Sequence, residues 1–194
     1  MVNTTDIDRS TPQQRDPTLT PTAKSDASRG IAAAIDAIDY SALRVLPEYI
    51  DANGHMNVGY YGVIFDKASD LPCAQLNVGW EMIKRHKLTL FSLETHLTFQ
   101  REILEGSPLS FTFQLLDHDA KRMHIFMTMR DAADGEVSAT CESMHMCIDM
   151  ATRRSTGWPA DAMEKLALLQ PVHAARPRPA EAGRIIGIRR RTGG

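Results

Sequence analysis

A short segment near residue 50 combines residue types that could carry out chemistry on a carbonyl group. Residues 51–57 read Asp-Ala-Asn-Gly-His-Met-Asn, in which the Asp, Asn and Gly favour a turn. From Val58 onward apolar residues recur every three or four positions, which predicts a helix with Asn57 as its N-cap. The segment therefore places a carboxylate, Asp51, shortly before a helix N-terminus.

These two features together suit acyl transfer. The Asp51 carboxylate could attack a carbonyl carbon or deprotonate a water molecule. A helix N-terminus offers unpaired backbone N–H groups, and the one near Val58 could hold the carbonyl oxygen on which negative charge grows. The same residues also make an ordinary turn before a helix, so the segment alone does not establish catalysis.

The elements that must position this segment follow from hydrophobic periodicity. Residues 43–50 are predicted to form a strand with Pro47 near an edge or bulge. The helix from Val58 is predicted to break at Pro72, and a second short helix is predicted to end at Gly79.

Four further strands are predicted downstream, in meander order, at residues 88–100, 108–116, 123–130 and 136–149. Within the first of them Glu94 and His96 should share one face. The order strand, helix, four strands predicts an α+β fold with a five-stranded antiparallel sheet covered by one long central helix.

The two ends of the chain differ in composition from the middle. Residues 1–38 are polar, rich in Pro, Ser and Thr, and predicted to be disordered apart from a helical turn at 31–35. Residues 39–158 are predicted to be the folded domain. Residues 159–194 are predicted to be a helix at 160–170 and a flexible, Arg-rich tail from Pro171.

Overall composition excludes several classes of function. The net charge of −2 and pI near 6.4 give no general attraction to nucleic acid or to an anionic membrane surface. No apolar run has the length of a membrane span, and the N-terminus lacks the pattern of a secretory signal. Three cysteines without a Cys-x-x-Cys motif suggest buried reduced thiols, and the histidines lack metal-ligand spacing. We expect a cytoplasmic protein without bound metal.

The motif Asp51-x-x-Gly54-His55-x-Asn57, followed by Tyr60-Tyr61, resembles the signature of the 4-hydroxybenzoyl-CoA thioesterase family. The resemblance covers residues 40–158 and includes the order of the elements, which is that of the hot-dog fold. It implies hydrolysis of an acyl-CoA thioester without a further cofactor. It also implies a homodimer or homotetramer with each site between two subunits.

The resemblance assigns roles to individual residues of the segment. It implies that Asp51 is the nucleophile or the general base, and that the backbone amide near Val58 polarises the thioester carbonyl. It implies that Gly54, His55 and Asn57 shape the loop, with His55 as a supporting partner rather than the base.

Substrate-binding residues are less sharply indicated. Arg153 and Arg154, after the last long strand, or Arg122 could bind the phosphates of coenzyme A. The chain is also similar to betainyl-CoA thioesterases of carnitine breakdown, whose trimethylammonium acyl group requires an aromatic and acidic lining. Candidates for that lining are Tyr60, Tyr61, Trp80, Glu94 and Trp158.

Two alternatives remain open at this stage. Hot-dog enoyl-CoA hydratases use Asp-x-x-x-x-His, but the spacing from Asp51 to His55 is one residue shorter and Gly54 stands where their Pro is expected. A non-catalytic acyl-CoA-binding module could use the same fold, and in that case Asp51→Asn would leave its role intact.

Overall fold

A five-stranded antiparallel sheet and one long helix form the framework of the protein, whose structure, a computed structural model, describes residues 21–188. The helices are α1 (Pro21–Asp36), α2 (Val58–Gln75), α3 (Trp80–His86) and α4 (Ala160–Ala174), and the strands are β1 (Leu88–Phe99), β2 (Leu109–His118), β3 (Arg122–Asp131), β4 (Val137–Asp149) and β5 (Arg154–Ser155). The predicted α+β class, with a five-stranded antiparallel sheet, is confirmed.

The order of the strands in the sheet differs from the predicted meander. Their order is β1-β4-β3-β2, and β5 pairs with the end of β4. Only β2, β3 and β4 follow one another across the sheet, and β1 lies at an edge beside β4. The period of a strand indicates which side chains share a face, but it carries no information about the neighbouring strand.

Helix α2 packs on one face of the sheet, which we call the inner face. The Tyr61 ring meets Phe99 of β1 edge-on with 4.9 Å between centroids, and Phe65 meets Phe111 of β2 at 5.8 Å. Ile64 of the same helix is 1% exposed. Because burial of apolar surface is the main favourable term in folding, these contacts determine where the N-terminus of α2 lies.

The helix boundaries correct two predictions. α2 continues through Pro72 to Gln75 instead of breaking there. Proline removes one helical hydrogen bond, and burial of the Pro72 ring offsets that loss. Gly79 does not end a helix but precedes α3, where its positive φ of 68° turns the chain before Trp80.

The strand predicted at residues 43–50 is not formed. A 3-10 turn, Pro47–Tyr49, occupies its second half, and one isolated bridge joins Arg44 to Pro108. Pro47 has no N–H to donate, so a continuous ladder cannot form through it. The fifth strand of the sheet is instead the two-residue β5.

The predicted disorder of residues 1–38 is wrong where the structure describes them. α1 covers Pro21–Asp36, and its Ala32 and Ile35 are 3% exposed because α1 packs against α4. An ion pair of 2.6 Å between Arg176 and Asp36 joins the ends of the two helices. Composition did not predict this helix because the segment contains few bulky apolar residues and much of the apolar stripe of α1 is alanine. Residues 1–20 lie outside the described residues.

The C-terminal prediction is corrected in the same way. α4 continues past residue 170 and includes Pro171. After it the chain crosses the outer face of the sheet, where the Gly183 N–H donates to both carboxylate oxygens of Glu142 at 3.0 and 2.7 Å. The Arg-rich residues 189–191 lie outside the described residues.

Other expectations concern thiols, membranes and metals. Cys73, Cys141 and Cys147 are buried and free, which confirms the prediction of core thiols. Within residues 21–188, none of the helices is both long and apolar enough to cross a membrane. In the same residues no group of three or more His, Cys, Asp or Glu side chains is arranged to hold a metal ion.

The packing of α1 can be tested by removing side-chain volume. Ile35→Ala should lower the free energy of unfolding by about 2–4 kcal/mol, because it leaves a cavity between α1 and α4. The measurement is urea unfolding, with Ala34→Ser on the exposed side of the helix as the matched control. Equal stability of the two variants would contradict the packing described above.

A second stability prediction concerns pH. Burial, with a smaller contribution from Arg176, lowers the pKa of His173 to about 4, and its Nδ1 accepts a hydrogen bond of 2.9 Å from the Leu115 N–H. Between pH 6.5 and pH 4 the unfolded chain takes up a proton that the folded protein excludes. The free energy of unfolding should therefore fall as the pH is lowered through this range.

The variant His173→Gln keeps a hydrogen-bond acceptor but cannot take up that proton. Its unfolding free energy, measured in urea at several pH values between 7 and 4, should decline less steeply than that of the wild type. The wild-type decline will not vanish entirely, since burial also lowers the pKa of His145 to about 4. Parallel curves for wild type and variant would refute this role of His173.

Candidate active site

A cleft of about 500 Å³ opens at the N-terminus of α2, between the segment 51–58 and the end of β1. Its walls are formed by Asp51, Asn53, His55, Met56, Asn57, Val58, Tyr61, Phe99, Gln100, Arg101 and Glu102. The cleft thus contains the whole segment in which the sequence predicts chemistry, and it adds the residues that follow β1.

The segment is held in one conformation by backbone hydrogen bonds. The Gly54 N–H donates to the Asp51 carbonyl at 3.0 Å, and the positive φ of 81° at Gly54 closes the turn. The Met56 N–H donates to Ile103 at 2.9 Å and the Asn57 N–H donates to Tyr49 at 2.8 Å. The loop is therefore anchored on both sides before α2 begins.

The Asp51 carboxylate is oriented by two donors. Its Oδ1 accepts a hydrogen bond of 2.8 Å from the Asn53 N–H, and its Oδ2 accepts one of 3.2 Å from Asn57 Nδ2. The Asn53 bond is the main cause that lowers the pKa of Asp51; Asn57 and His55 act in the same direction, and partial burial opposes them. The carboxylate is therefore ionised at neutral pH, as a nucleophile or a base requires.

Asn57 also caps the helix. While its Nδ2 donates to Asp51, its Oδ1 accepts from the Gly59 N–H at 2.9 Å, and its carbonyl accepts from the Tyr60 N–H at 3.0 Å. Among residues 21–188 no acceptor contacts the remaining first-turn donor, the Val58 N–H. That N–H lies at the wall of the cleft, where a carbonyl oxygen could accept from it.

His55 lies in the cleft, but its imidazole is not hydrogen-bonded to the carboxylate. Its Nδ1 is 3.5 Å from the Met56 carbonyl oxygen. The Asp51 N–H donates to the His55 carbonyl at 3.2 Å, but within the described part of the chain no hydrogen bond joins the imidazole to the carboxylate. This placement agrees with a supporting position for the imidazole and gives no geometry for a His–Asp pair of the hydratase kind.

The predicted aromatic and acidic lining is dispersed. Of its five candidates only Tyr61 lines the cleft. Trp158 is buried elsewhere, and its indole N–H donates to the Asp119 carbonyl at 3.0 Å. Tyr60 stacks on Tyr49, with 4.5 Å between ring centroids. Trp80 borders a separate cavity under α2, and Glu94 lies with His96 on the outer face of β1, as their shared face predicts.

The three arginines considered for the coenzyme do not line the cleft. Arg122 is paired with Asp119 at 2.6 Å, and Arg153 and Arg154 are exposed at the turn and strand after β4. The arginine that does line the cleft is Arg101, which forms an ion pair of 2.6 Å with Asp134.

Sequence reasoning missed the wall formed by residues 99–102. These residues carry no motif of their own. They face the loop only because the Met56 N–H binds the carbonyl of Ile103 and because Phe99 packs on Tyr61. Both contacts join positions about 40 residues apart, and neither is visible in local periodicity.

Comparison with known proteins relates this arrangement to one superfamily. Residues 45–166 match the model of the thioesterase-like superfamily. The chain is 33% identical to the betainyl-CoA thioesterase of Pseudomonas aeruginosa over 144 residues, which are 74% of this chain and 91% of that protein. It is 34% identical to the L-carnitine dehydrogenase/betainyl-CoA thioesterase of Rhizobium meliloti over 76% of this chain, but over only 29% of that longer protein.

A solved structure shows the same fold with a ligand. A Staphylococcus aureus protein in complex with CoA superposes with a TM-score of 0.70 at 30% identity, over 76% of this chain and 92% of that one. The region shared with the superfamily contains the cleft, α2 and the entire sheet. The chain therefore belongs to the thioesterase-like superfamily and is a thioester hydrolase of the hot-dog fold.

Proposed function

We propose that the protein hydrolyses an acyl-CoA thioester to the free acid and coenzyme A. The observation that carries this proposal is that an ionised carboxylate, Asp51, and a free helix N-terminal donor, the Val58 N–H, share one cleft and are oriented by one side chain, Asn57. A relative of the same fold is known in complex with CoA, which supports a coenzyme A thioester as the substrate.

The thioester carbonyl accepts a hydrogen bond from the Val58 N–H, which stabilises the negative charge that forms on its oxygen. Asp51 then acts in one of two ways. As nucleophile it attacks the carbonyl carbon, expels the thiolate and forms an anhydride that water cleaves. As general base it takes a proton from water, whose oxygen attacks. Oxygen-18 entering Asp51 in a single turnover in labelled water would establish the first route.

We propose betainyl-CoA, an intermediate of carnitine breakdown, as the substrate. The support comes from the two relatives whose names include betainyl-CoA thioesterase and which align with most of this chain. For the phosphates of the coenzyme we propose Arg153 and Arg154 rather than Arg122, because Asp119 already neutralises Arg122.

We propose that the protein is a homodimer formed through β1, either alone or within a homotetramer. β1 is an edge strand, so one row of its backbone groups has no partner within the sheet. Phe91, Leu93 and Phe99 are about half exposed along it. Pairing β1 with its copy about a two-fold axis satisfies the backbone groups and covers these side chains. A cytoplasmic location, in keeping with three free thiols, stays a prediction.

The role of Asp51 is tested by thiol release from a panel of acyl-CoA esters that includes betainyl, short aliphatic and aromatic members. Asp51→Asn should lower kcat by roughly 10²–10⁴-fold, since the amide can neither attack nor accept a proton. Asp39→Asn is a matched control, because Asp39 also accepts from the N–H two residues ahead, at 2.8 Å. Full activity of Asp51→Asn would support the non-catalytic binding module instead.

The role of Asn57 is tested by separating its two hydrogen bonds. Asn57→Ser keeps a good helix cap but removes the donor to Asp51, so the pKa of Asp51 should rise. The acid limb of the kcat/KM profile should move to higher pH, and kcat/KM should fall roughly tenfold at neutral pH.

Asn57→Asp keeps the cap and places a second carboxylate beside the first, so the same limb should move further. Thermal unfolding of both variants measures whether the helix cap is retained. An unchanged pH profile in both would show that Asn57 serves only as a cap.

A further inference from the structure

Two adjoining cavities lie under the C-terminal half of α2, outside the Asp51 cleft. Their volumes are about 310 and 240 Å³, and both are lined by Asp66, Ser69, Ser92 and His145. Asp70 and Trp80 border the second of them. We call the space bounded by these six residues the acidic cavity.

The charge of the acidic cavity has one sign. Asp66 and Asp70 provide two carboxylates, and no lysine or arginine of the described chain lines either of the two cavities. Trp80 is 64% exposed, and its Nε1 donates to Asp70 at 3.3 Å, which holds the indole beside that carboxylate. An acidic rim with an aromatic wall attracts cations and repels anions.

On the sheet side, the acidic cavity is lined by neutral polar groups together with the apolar side chains of Ile125, Met127 and Cys141. His145 is 8% exposed, and burial lowers its pKa to about 4, so its imidazole is neutral at physiological pH. Its Nδ1 lies 3.2 Å from Ser92 Oγ, while no group of residues 21–188 hydrogen-bonds its Nε2. Ser92 pairs with His145 across β1 and β4, and a β-bulge between Ser92 and Glu94 shifts the register of the residues that follow. The wall of the acidic cavity therefore offers a neutral ring nitrogen, and no second cation, to a bound group.

These properties fit a small organic cation. A quaternary ammonium group carries one positive charge, has no N–H to satisfy and is bound in proteins by aromatic faces and carboxylates. The combined space of the two cavities is ample for a trimethylammonium group, and the buried imidazole adds no opposing charge.

A subunit cannot use its own acidic cavity for the substrate in its own cleft. Asp66 lies eight residues after Val58 on α2, a distance of about 12 Å along the helix axis. In a betainyl thioester a single methylene separates the carbonyl carbon from the quaternary nitrogen. A carbonyl held at the Val58 N–H therefore leaves the cation far from Asp66 of the same chain.

Pairing of β1 about a two-fold axis brings the two sites together. In an antiparallel pair of identical strands, the Phe99 end of one strand lies beside the Leu88 end of the other. The cleft is at the Phe99 end, and the acidic cavity extends from the Leu88 end, where Thr89 and Leu90 line it, to Thr95 past the middle of the strand. Each cleft therefore adjoins the acidic cavity of the partner subunit.

We propose that the quaternary ammonium group of a cationic acyl-CoA substrate is bound in the acidic cavity of one subunit while its thioester is cleaved at Asp51 of the other. Asp66, Asp70 and Trp80 are then the residues that determine specificity. The inference rests on the proposed function and on the β1 dimer, and it specifies which charge the enzyme selects.

The first test compares betainyl-CoA with 3,3-dimethylbutyryl-CoA, which has the same shape but no charge. The double variant Asp66→Asn, Asp70→Asn should lower the ratio of kcat/KM for the two esters roughly tenfold or more. Glu105→Gln, Glu164→Gln removes two exposed carboxylates elsewhere and should leave the ratio at its wild-type value. An unchanged ratio in the first variant overturns the proposal.

The second test separates the two subunits. Differently tagged Asp51→Asn and Asp66→Asn, Asp70→Asn chains are combined and the mixed dimer is purified. If the cation binds across the interface, one site of the mixed dimer combines an unchanged Asp51 from one chain with an unchanged acidic cavity from the other. Hydrolysis of betainyl-CoA should then recover to about half the wild-type rate. Failure to recover, or a monomeric protein in sedimentation, overturns the proposal.

Failure of the proposed function can be told apart from failure of this inference by binding. Calorimetry on the Asp51→Asn protein measures the affinity for both esters without turnover. The protein should bind betainyl-CoA more tightly than the neutral ester, and Asp66→Asn, Asp70→Asn should abolish that preference. This result supports cation binding in the acidic cavity even if the wild type releases no thiol. If the protein hydrolyses neutral esters but shows no preference for the cationic ester in binding or in catalysis, the hydrolase activity stands and cation binding in the acidic cavity is refuted.

Discussion

The packing of α2 on the inner face of the sheet is the constraint on which the candidate site depends. The aromatic contacts of Tyr61 and Phe65 hold the helix in place, and the N-terminus of the helix must then lie at the end of β1. At that position Asn57 uses its two amide atoms for different purposes. One atom caps the helix and the other orients Asp51, so the carboxylate and the free Val58 N–H are fixed relative to each other. A short polar side chain thus links the fold to its chemistry.

The same packing is incomplete at the other end of α2. Where a core helix would normally cover an apolar surface, β1 and β4 present Ser92, Thr95, Ser143 and His145. Hydroxyl groups in this region pair across the strands, as Thr95 and Ser143 do at 3.3 Å. Polar groups buried in a core reduce stability unless they are satisfied, and proteins depart from local rules mainly at functional positions. In the proposed dimer, the edge position of β1 lets the acidic cavity serve the cleft of a second subunit.

Some features were predictable because their signals are local. The helix start at Val58, the turn at Gly54 and the four long strands follow from residue type and period, and the structure contains each of them. Other features failed for physical reasons that are also local. Pro72 and Pro171 were predicted to end helices, because proline removes a helical hydrogen bond and its ring crowds the preceding turn. Both helices continue because residues on either side of each proline are buried against the rest of the protein. α1 was predicted to be disordered because its segment is polar and poor in bulky apolar residues, and the contacts with α4 that bury Ala32 and Ile35 are not visible in composition.

By itself, then, the sequence determined the identity of the candidate segment: a carboxylate, a glycine turn and a helix cap in a fixed order along residues 51–57. It also determined the α+β class, because the spacing of apolar residues changes along the chain from the period of a helix to the period of a strand. Only the tertiary structure decided what stands around that segment. The cleft wall at residues 99–102, the edge position of β1 and the meeting of Asp66, Trp80 and His145 under α2 all depend on contacts between distant positions. Periodicity records which face a side chain occupies, but the free energy of packing determines which faces meet.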